Sequence, residues 1–167
     1  MLMKLIGGFT VICTSMAIGF AYTGKLKKRI EFLKCFNHDI ILLKSRITER
    51  ETLSRAFVYV SKYSQFKELW IYWAENADKY GTRIAFEKGL SVYKDLVCLN
   101  KTDLKTINML SSGLGKTDIN SQKEHIDYVS DMMKILCRNA EADYDKNCRL
   151  YRSASLLVGI LAVILFF

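Results

Sequence analysis

The sequence predicts an all-α protein in which a six-helix bundle lies between two apolar helices, one near each end of the chain. Three observations lead to this prediction. The 167 residues include no proline, and glycine is scarce in the centre, which suits helices better than a sheet with many tight turns. Charged residues are confined almost entirely to the centre of the chain. Within that centre, apolar residues recur every three or four positions, the spacing of one helix face.

Charge divides the chain into three predicted parts: an N-terminal transmembrane helix at residues 1–22, a cytoplasmic helical domain at 23–152 and a C-terminal transmembrane helix at 153–167. The central part holds all 17 acidic residues and all but one of the 25 basic residues. Residues 5–22 and 153–167 carry no charge, and as helices they measure roughly 27 and 22 Å against a hydrocarbon core of about 30 Å. The sequence therefore predicts two membrane helices with a water-exposed domain between them.

Basic residues flank both apolar segments on the side of the central domain. They are Lys25, Lys27, Lys28 and Arg29 after the first segment and Lys146, Arg149 and Arg152 before the second. Because such flanks tend to remain in the cytoplasm, we expect the central domain there and both termini outside. The alternatives are a cleaved signal peptide for the first segment and a buried core helix for the second. The basic cluster argues against the first alternative, and the lack of a polar face against the second.

Apolar periodicity places the six helices of the central domain. They are expected at about Leu26–Ile47, Thr52–Tyr63, Gln65–Tyr80, Arg83–Cys98 and Thr102–Leu110, with a sixth after Thr117 or Asp118 that continues into the second apolar segment. Gly81 is expected to end the third helix, and Thr102 to cap the fifth. In the fourth helix, Ile84, Leu90, Tyr93 and Val97 are expected to face inward.

No catalytic, cofactor-binding or metal-binding group is predicted. Gly115-Lys116-Thr117 is similar to the end of a phosphate-binding loop, but the position that requires glycine is Leu110, and the surroundings are helical. Neither histidine has a second histidine or a Cys-x-x-Cys pair at ligand spacing. The five cysteines suit a reducing compartment. The basic run after the first apolar segment lacks interleaved aromatic residues, so it predicts contact with lipid headgroups and no nucleic-acid partner.

The corner before the sixth helix is the candidate functional region. Gly113, Gly115, Thr117 and Asp118 form a predicted structural turn, with Gly115 at a positive φ and Thr117 or Asp118 as the next cap. Asp118, Gln122 and His125 begin the sixth helix, where polar side chains are able to reach a partner. We therefore predict that these three residues bind a partner protein, although helix capping and packing are alternative roles for Asp118 and Gln122.

The sequence resembles the stage III sporulation protein AB family. Met-Lys-Leu-Ile-Gly-Gly at residues 3–8 is similar to the start of that family. The run Gly-Leu-Gly-Lys-Thr-Asp at residues 113–118, followed by Gln122 and His125, is similar to its most specific signature. Tyr151-Arg152 before a terminal apolar segment also fits. Thr52-Leu53 stands where the family usually has a Pro-Leu pair at the entry into its second helix.

The resemblance implies a role in spore formation. Members of the family belong to a channel complex between the mother cell and the forespore, in the mother-cell membrane. Their domain is similar to the type II secretion F domain of platform proteins, which is thought to couple a cytoplasmic ATPase to membrane subunits. The implied partners are stage III sporulation protein AA, the ATPase, together with other stage III membrane proteins. A membrane-bound enzyme and a regulator that binds anionic lipid through the basic flanks are the alternatives.

Overall fold

Residues 2–49, 51–115 and 118–166 are described in a computed structural model. Only the backbone is described at residues 2–9, 11, 12, 15, 16, 18, 152, 155, 159, 162, 163, 165 and 166. The described residues form six α-helices and no strand, in the order α1 (Leu2–Thr48), α2 (Leu53–Ser61), α3 (Lys67–Tyr80), α4 (Thr82–Tyr93), α5 (Lys101–Gly113) and α6 (Ile119–Phe166). This confirms the predicted all-α fold with six helices. The first apolar segment and the first predicted bundle helix are one element, α1, and α6 includes the second apolar segment.

The chain divides into two compact units. One unit contains residues 29–138, and the other combines residues 1–28 with residues 139–167. Helices α2 to α5 belong wholly to the first unit, to which α1 and α6 each contribute a part. The predicted boundaries at residues 22 and 152 describe the membrane segments and stay a prediction.

Aromatic side chains form the core of the unit at residues 29–138. Phe36, Phe57, Trp70, Trp73 and Phe86 are fully buried, and they come from α1, α2, α3 and α4. Trp73 stacks on Phe86 with ring centroids 3.9 Å apart, and Trp70 meets Trp73 edge-on at 4.9 Å. Burial of each such side chain contributes about 1.5–3 kcal/mol. Helices α2 and α3 together supply three of these five side chains.

Helix α4 differs from its prediction at both its end and its inward face. It ends at Tyr93, five residues before the predicted end at Cys98, and Cys98 itself has a φ of 56°. A non-glycine residue with a positive φ leaves the helical region, so the helix cannot extend through this position. Ile84 was expected inside but is 47% exposed, because Ala85 and Phe86 take the inward face.

The N-cap of α5 is Asn100, two residues before the predicted Thr102. The Asn100 side chain accepts a hydrogen bond from the backbone N–H of Asp103, and the Asp103 carboxylate accepts one from the backbone N–H of Asn100. This reciprocal pair is a capping box, which satisfies two backbone donors that the helix leaves open. The prediction of Thr102 was wrong because a carboxylate at the third helical position favours the earlier start.

In the unit that contains the two ends, Tyr22 contacts Tyr151. Their ring centroids lie 4.3 Å apart, which pairs α1 with α6. Gly19 and Thr23 on α1 and Cys148 on α6 are buried in the same unit. Among the described residues, no helix has an apolar stretch long enough to span a membrane.

Candidate functional site

The end of α5 is packed directly against the start of α6 through Gly113 and His125. A Cβ atom added at Gly113 would lie 2.2 Å from Cδ2 of His125, far inside a normal contact. His125 Nε2 lies 2.8 Å from the backbone carbonyl oxygen of Met109, at hydrogen-bond distance. The imidazole of His125 is half-buried in this position. Glycine at 113 therefore lets a polar ring of α6 bind to the last turn of α5.

The turn itself is fixed by Gly115, Gln122 and Asp118. Gly115 has a φ of +74°, as the sequence predicted, a conformation that side chains with a Cβ rarely adopt. Its backbone N–H donates to Oε1 of Gln122 at 3.4 Å. Asp118 caps α6, because its Oδ1 accepts from the backbone N–H groups of Asn120 at 2.8 Å and Ser121 at 3.0 Å. The expected alternative cap, Thr117, lies outside the described residues.

Hydrogen bonds also set the charge state of Asp118. The backbone N–H of Ser121 and the Ser121 hydroxyl hold the pKa of the Asp118 carboxyl below its ordinary value, because they stabilise the ionised form. The positive end of the helix dipole lies at the same place. Asp118 thus presents an exposed negative charge at the corner. By contrast, the side chains of Gln122 and His125 are half-buried and bonded to the corner itself.

Arg29 and Asp103 form a buried ion pair that the sequence did not reveal. Nε of Arg29 lies 2.7 Å from one carboxylate oxygen of Asp103, and Nη2 lies 3.0 Å from the other. Asp103 is fully buried and also belongs to the capping box of α5. Arg29 was expected to be part of the basic flank, but this pairing of α1 with α5 takes it out of the exposed cluster. Because the partners are 74 residues apart, no local spacing indicates the contact.

Asp39 is a second buried carboxylate that sequence reasoning missed. Its Oδ2 accepts hydrogen bonds from the Ser64 hydroxyl at 2.5 Å and from the Trp70 indole at 2.8 Å. Its Oδ1 has no hydrogen-bond partner. Burial raises the pKa of the Asp39 carboxyl above its ordinary value, although the bonds from Ser64 and Trp70 oppose the shift. The carboxylate ties α1 to α3, and its neighbour Cys35 also has a raised thiol pKa because of burial.

The described part of the chain contains no candidate metal-binding site. Within residues 2–49, 51–115 and 118–166, no three His, Cys, Asp or Glu side chains come together as a metal site would require. Lys116, the cation of the short phosphate-loop likeness, lies outside these ranges. Leu110, where that loop would need glycine, is buried in α5.

Fold and corner together define a small all-helical protein whose polar side chains link its helices. A family model described as stage III sporulation protein AB matches residues 4–167, so the chain belongs to this family. The predicted resemblance is confirmed, and membership indicates a role in sporulation. No curated protein and no solved structure matches the chain.

Proposed function

We propose that the chain is a non-enzymatic platform of a sporulation channel complex between the mother cell and the forespore. In this proposal, residues 5–22 and 153–167 cross the mother-cell membrane, and the helical domain lies in the cytoplasm. The domain couples a cytoplasmic ATPase, stage III sporulation protein AA by family analogy, to the membrane subunits. The observation that carries the proposal is the charge-free sequence at both ends of a sporulation protein with a packed, charged centre.

The contact between Tyr22 and Tyr151 supports a paired arrangement of the two end segments. Tyr22 closes the first charge-free run, and Tyr151 comes two residues before the second one. Their rings lie 4.3 Å apart, so the two segments begin at the same level on neighbouring helices. Tyrosine favours the membrane–water interface, where the ring is apolar and the hydroxyl is hydrated. This geometry suits two helices that leave the cytoplasm side by side.

Buried hydrogen bonds between helices within residues 29–138 support a platform role. The Arg29–Asp103 pair joins α1 to α5, and Asp39 joins α1 to α3 through Trp70. Such buried hydrogen bonds require defined positions of both side chains, since displacement of one leaves the other buried and unpaired. A domain that passes force from an ATPase to membrane subunits needs helices that keep their relative positions.

The α5–α6 corner is the proposed contact surface for the ATPase. The sequence prediction named Asp118, Gln122 and His125 for this role. Because Gln122 and His125 are bonded within the corner, they are proposed to hold it together. The exposed Asp118 is proposed to contact the partner. The hydrogen bonds of the helix cap lower the pKa of the Asp118 carboxyl and keep it ionised. Its negative charge suits a basic partner surface.

Lipid binding is part of the same proposal. Lys25, Lys27 and Lys28 are exposed just after the first apolar segment, where anionic headgroups would attract them. Arg29 contributes little to this cluster because it is 9% exposed and paired with Asp103. The three lysines are therefore proposed to orient the first membrane helix.

Capture of the tagged full chain from detergent extracts of sporulating cells tests the proposal. We expect the ATPase and other stage III membrane proteins to co-purify with the chain. Asp118→Asn keeps the helix cap but removes the charge, so it should weaken capture of the ATPase. Asp131→Asn is the matched control, since it removes an exposed charge from the same helix. A chain that purifies without any of these partners would contradict the platform role. Equal capture with both variants would contradict the role of the corner.

A further inference from the structure

A cavity of 640 Å³ lies between α1 and the loop that joins α2 to α3. We call it the α1 cavity. Its lining consists of four residues of α1 and two residues of the loop, which are Glu31, Lys34, Cys35, His38, Tyr63 and Gln65. The positions on α1 extend over two turns of one helix face. The volume is that of a typical small-molecule site, which measures about 300–1,000 Å³.

The carboxylate of Asp39 lies directly behind the lining of the α1 cavity. Its Oδ1 is 3.9 Å from Nδ1 of His38, which lines the cavity. Its Oδ2 accepts a hydrogen bond from Ser64, whose two neighbours along the chain also line the cavity. Cys35 lies one helical turn before Asp39, and burial together with the charge of Asp39 raises the pKa of its thiol. Lining residues therefore surround this carboxylate on both sides.

Oδ1 of Asp39 lacks a hydrogen-bond donor within the protein. The side chain is fully buried, and this oxygen has no hydrogen-bond partner. Nδ1 of His38, at 3.9 Å, is too far away to supply one. A buried carboxylate oxygen without a donor is unfavourable, because it has lost its contact with water and gained nothing in exchange. The bonding of Asp39 is therefore complete only when a donor is added from outside.

His38 separates this oxygen from the solvent in the cavity. Its side chain is 66% exposed. Exposed side chains change their rotamer within picoseconds to nanoseconds. Rotation of the imidazole, rather than movement of a helix, is therefore the expected route from the α1 cavity to Oδ1 of Asp39.

The charges around the cavity select a cation. Two carboxylates, those of Glu31 and Asp39, lie here with one ammonium group, that of Lys34. An anion would be repelled by the buried charge of Asp39. A metal ion is disfavoured, since the residues that the structure describes bring no three ligating side chains together. An organic ammonium or guanidinium group offers several N–H donors, and the ring of Tyr63 offers it a π face.

We infer that the α1 cavity binds an organic cation whose ammonium or guanidinium group donates a hydrogen bond to Oδ1 of Asp39. The site shares no residue with the α5–α6 corner, so the inference goes beyond the proposed function. Two sources present this chemistry, a free aliphatic diamine and a lysine or arginine side chain of a partner protein. With either source, the cation strengthens the link from α1 to the neighbouring loop and α3, because Asp39 is bonded to Ser64 and Trp70.

Isothermal titration calorimetry of the full chain in a neutral detergent tests the inference. The probes are putrescine, which is a free diamine, and an acetylated Gly-Arg-Gly amide, which stands for the arginine of a partner. We expect saturable binding of at least one of them and no binding of the uncharged control 1,4-butanediol. Tighter binding of putrescine assigns the site to a free diamine, and tighter binding of the peptide assigns it to a partner protein. No saturable binding of either cation would overturn the inference.

Two variants at the site test whether the cation lies at Asp39. Asp39→Asn keeps an oxygen that accepts from Ser64 and Trp70 but removes the charge, so it should weaken binding by about tenfold or more. His38→Lys places an ammonium group of the chain itself beside Oδ1, so it should compete with the probe and weaken binding to a similar extent. Asp131→Asn is the matched control, since it removes an exposed carboxylate from α6 and should leave the affinity unchanged.

Circular dichroism accompanies each titration. Unchanged affinity in Asp39→Asn or in His38→Lys, with a melting temperature within a few degrees of the parent, would overturn the inference. An equal loss of affinity in Asp131→Asn would do the same, because it would show attraction by net charge alone. His38→Lys retains Asp39 and its two hydrogen bonds, so it tests the site even where Asp39→Asn fails to fold.

Discussion

Arg29 shows how the position of a single residue decides its role. It closes a run of basic residues that follow an apolar segment, which is typical of a membrane flank. Its guanidinium instead makes a two-point contact with the buried Asp103, whose other function is to cap α5. Lys28, the residue before it, is exposed. One helical step of 100° therefore separates a side chain for the solvent from one that ties two helices together.

Replacement of Arg29 should destabilise the protein far more than replacement of its neighbour. Arg29→Met leaves the Asp103 carboxylate buried without a counter-charge, which should cost about 3–5 kcal/mol of the free energy of unfolding. Lys28→Met removes an exposed charge and should cost about 0.5 kcal/mol or less. Denaturant unfolding of the full chain in mild detergent measures both variants. Equal midpoints would show that the buried pair contributes nothing to stability.

Asp39 and Asp118 should give opposite dependences of stability on pH. The folded state raises the pKa of Asp39 above its ordinary value of 3.8. The unfolded chain therefore releases this proton first, and the stability of the fold decreases as pH rises through the interval between the two values. The folded state lowers the pKa of Asp118, so its contribution is present above 3.8 and is lost as pH falls through the lower folded value.

Asparagine variants separate these two effects. Asp39→Asn keeps an oxygen that accepts from Trp70 and Ser64 but cannot ionise. It should be at least as stable as the parent at neutral pH. The stability of the parent should decrease as pH rises above 3.8, whereas the stability of this variant should not. Asp118→Asn should be less stable than the parent at neutral pH and equal to it in acid. Thermal unfolding between about pH 3 and pH 7 measures both. Parallel pH profiles for the two variants would contradict the assignment.

At the scale of helices, close approach at glycine sets how neighbouring elements pack. Gly113 lies against the imidazole of His125, and Gly89 lies against the indole of Trp73. Gly81 separates α3 from α4 as a single residue with φ 81° and ψ 151°, a region that is essentially limited to glycine. The corner between α3 and α4 therefore depends on glycine for its backbone conformation. The corner between α5 and α6 depends on glycine for two reasons, the positive φ of Gly115 and the lack of space at Gly113.

Gly113→Ala should disrupt the contact between α5 and α6. The added methyl group must displace His125 from its position beside the Met109 carbonyl, which should cost about 1–3 kcal/mol of the free energy of unfolding. Gly24→Ala is the matched control, because Gly24 is also helical but has open space around it. That variant should gain up to about 1 kcal/mol from the better helix propensity of alanine. Opposite signs in thermal unfolding are the expected result, and a loss of similar size in both variants would contradict it.

Local patterns predicted the helices, but contacts between residues far apart in the sequence lay beyond them. The spacing of apolar residues predicted the helix that carries the buried Trp70 and Trp73, and the turn residues predicted the positive φ of Gly115. Ile84 was misplaced because the stripe of α4 also fits a neighbouring face, and only packing against α3 and α5 decides between the two. The capping box at Asn100 competes with a plausible cap two residues later. Asp39 was missed because its donors come from α3 and the loop before it.

At the scale of the whole molecule, each corner residue has two candidate roles, which are to hold the corner together and to bind a partner. Gln122 and His125 were predicted to bind a partner, and both have bonds within the corner that are enough to explain their chemistry. Asp118 combines a structural cap with an exposed charge. Membership in the sporulation family gives the protein a cellular role, and the proposed anchoring at both ends would give it a defined side of the membrane.

Topology is the central claim of the proposed function, and reporter fusions test it most directly. Alkaline phosphatase, which is active only outside the cytoplasm, is fused after Phe167 and, in a second fusion, after Arg138 within the helical domain. We expect an active enzyme after Phe167 and an inactive enzyme after Arg138, because basic flanks tend to remain in the cytoplasm and the fusion after Arg138 keeps the first flank. An inactive fusion after Phe167, at equal expression, would contradict the proposed membrane crossing, and an active fusion after Arg138 would contradict the cytoplasmic domain.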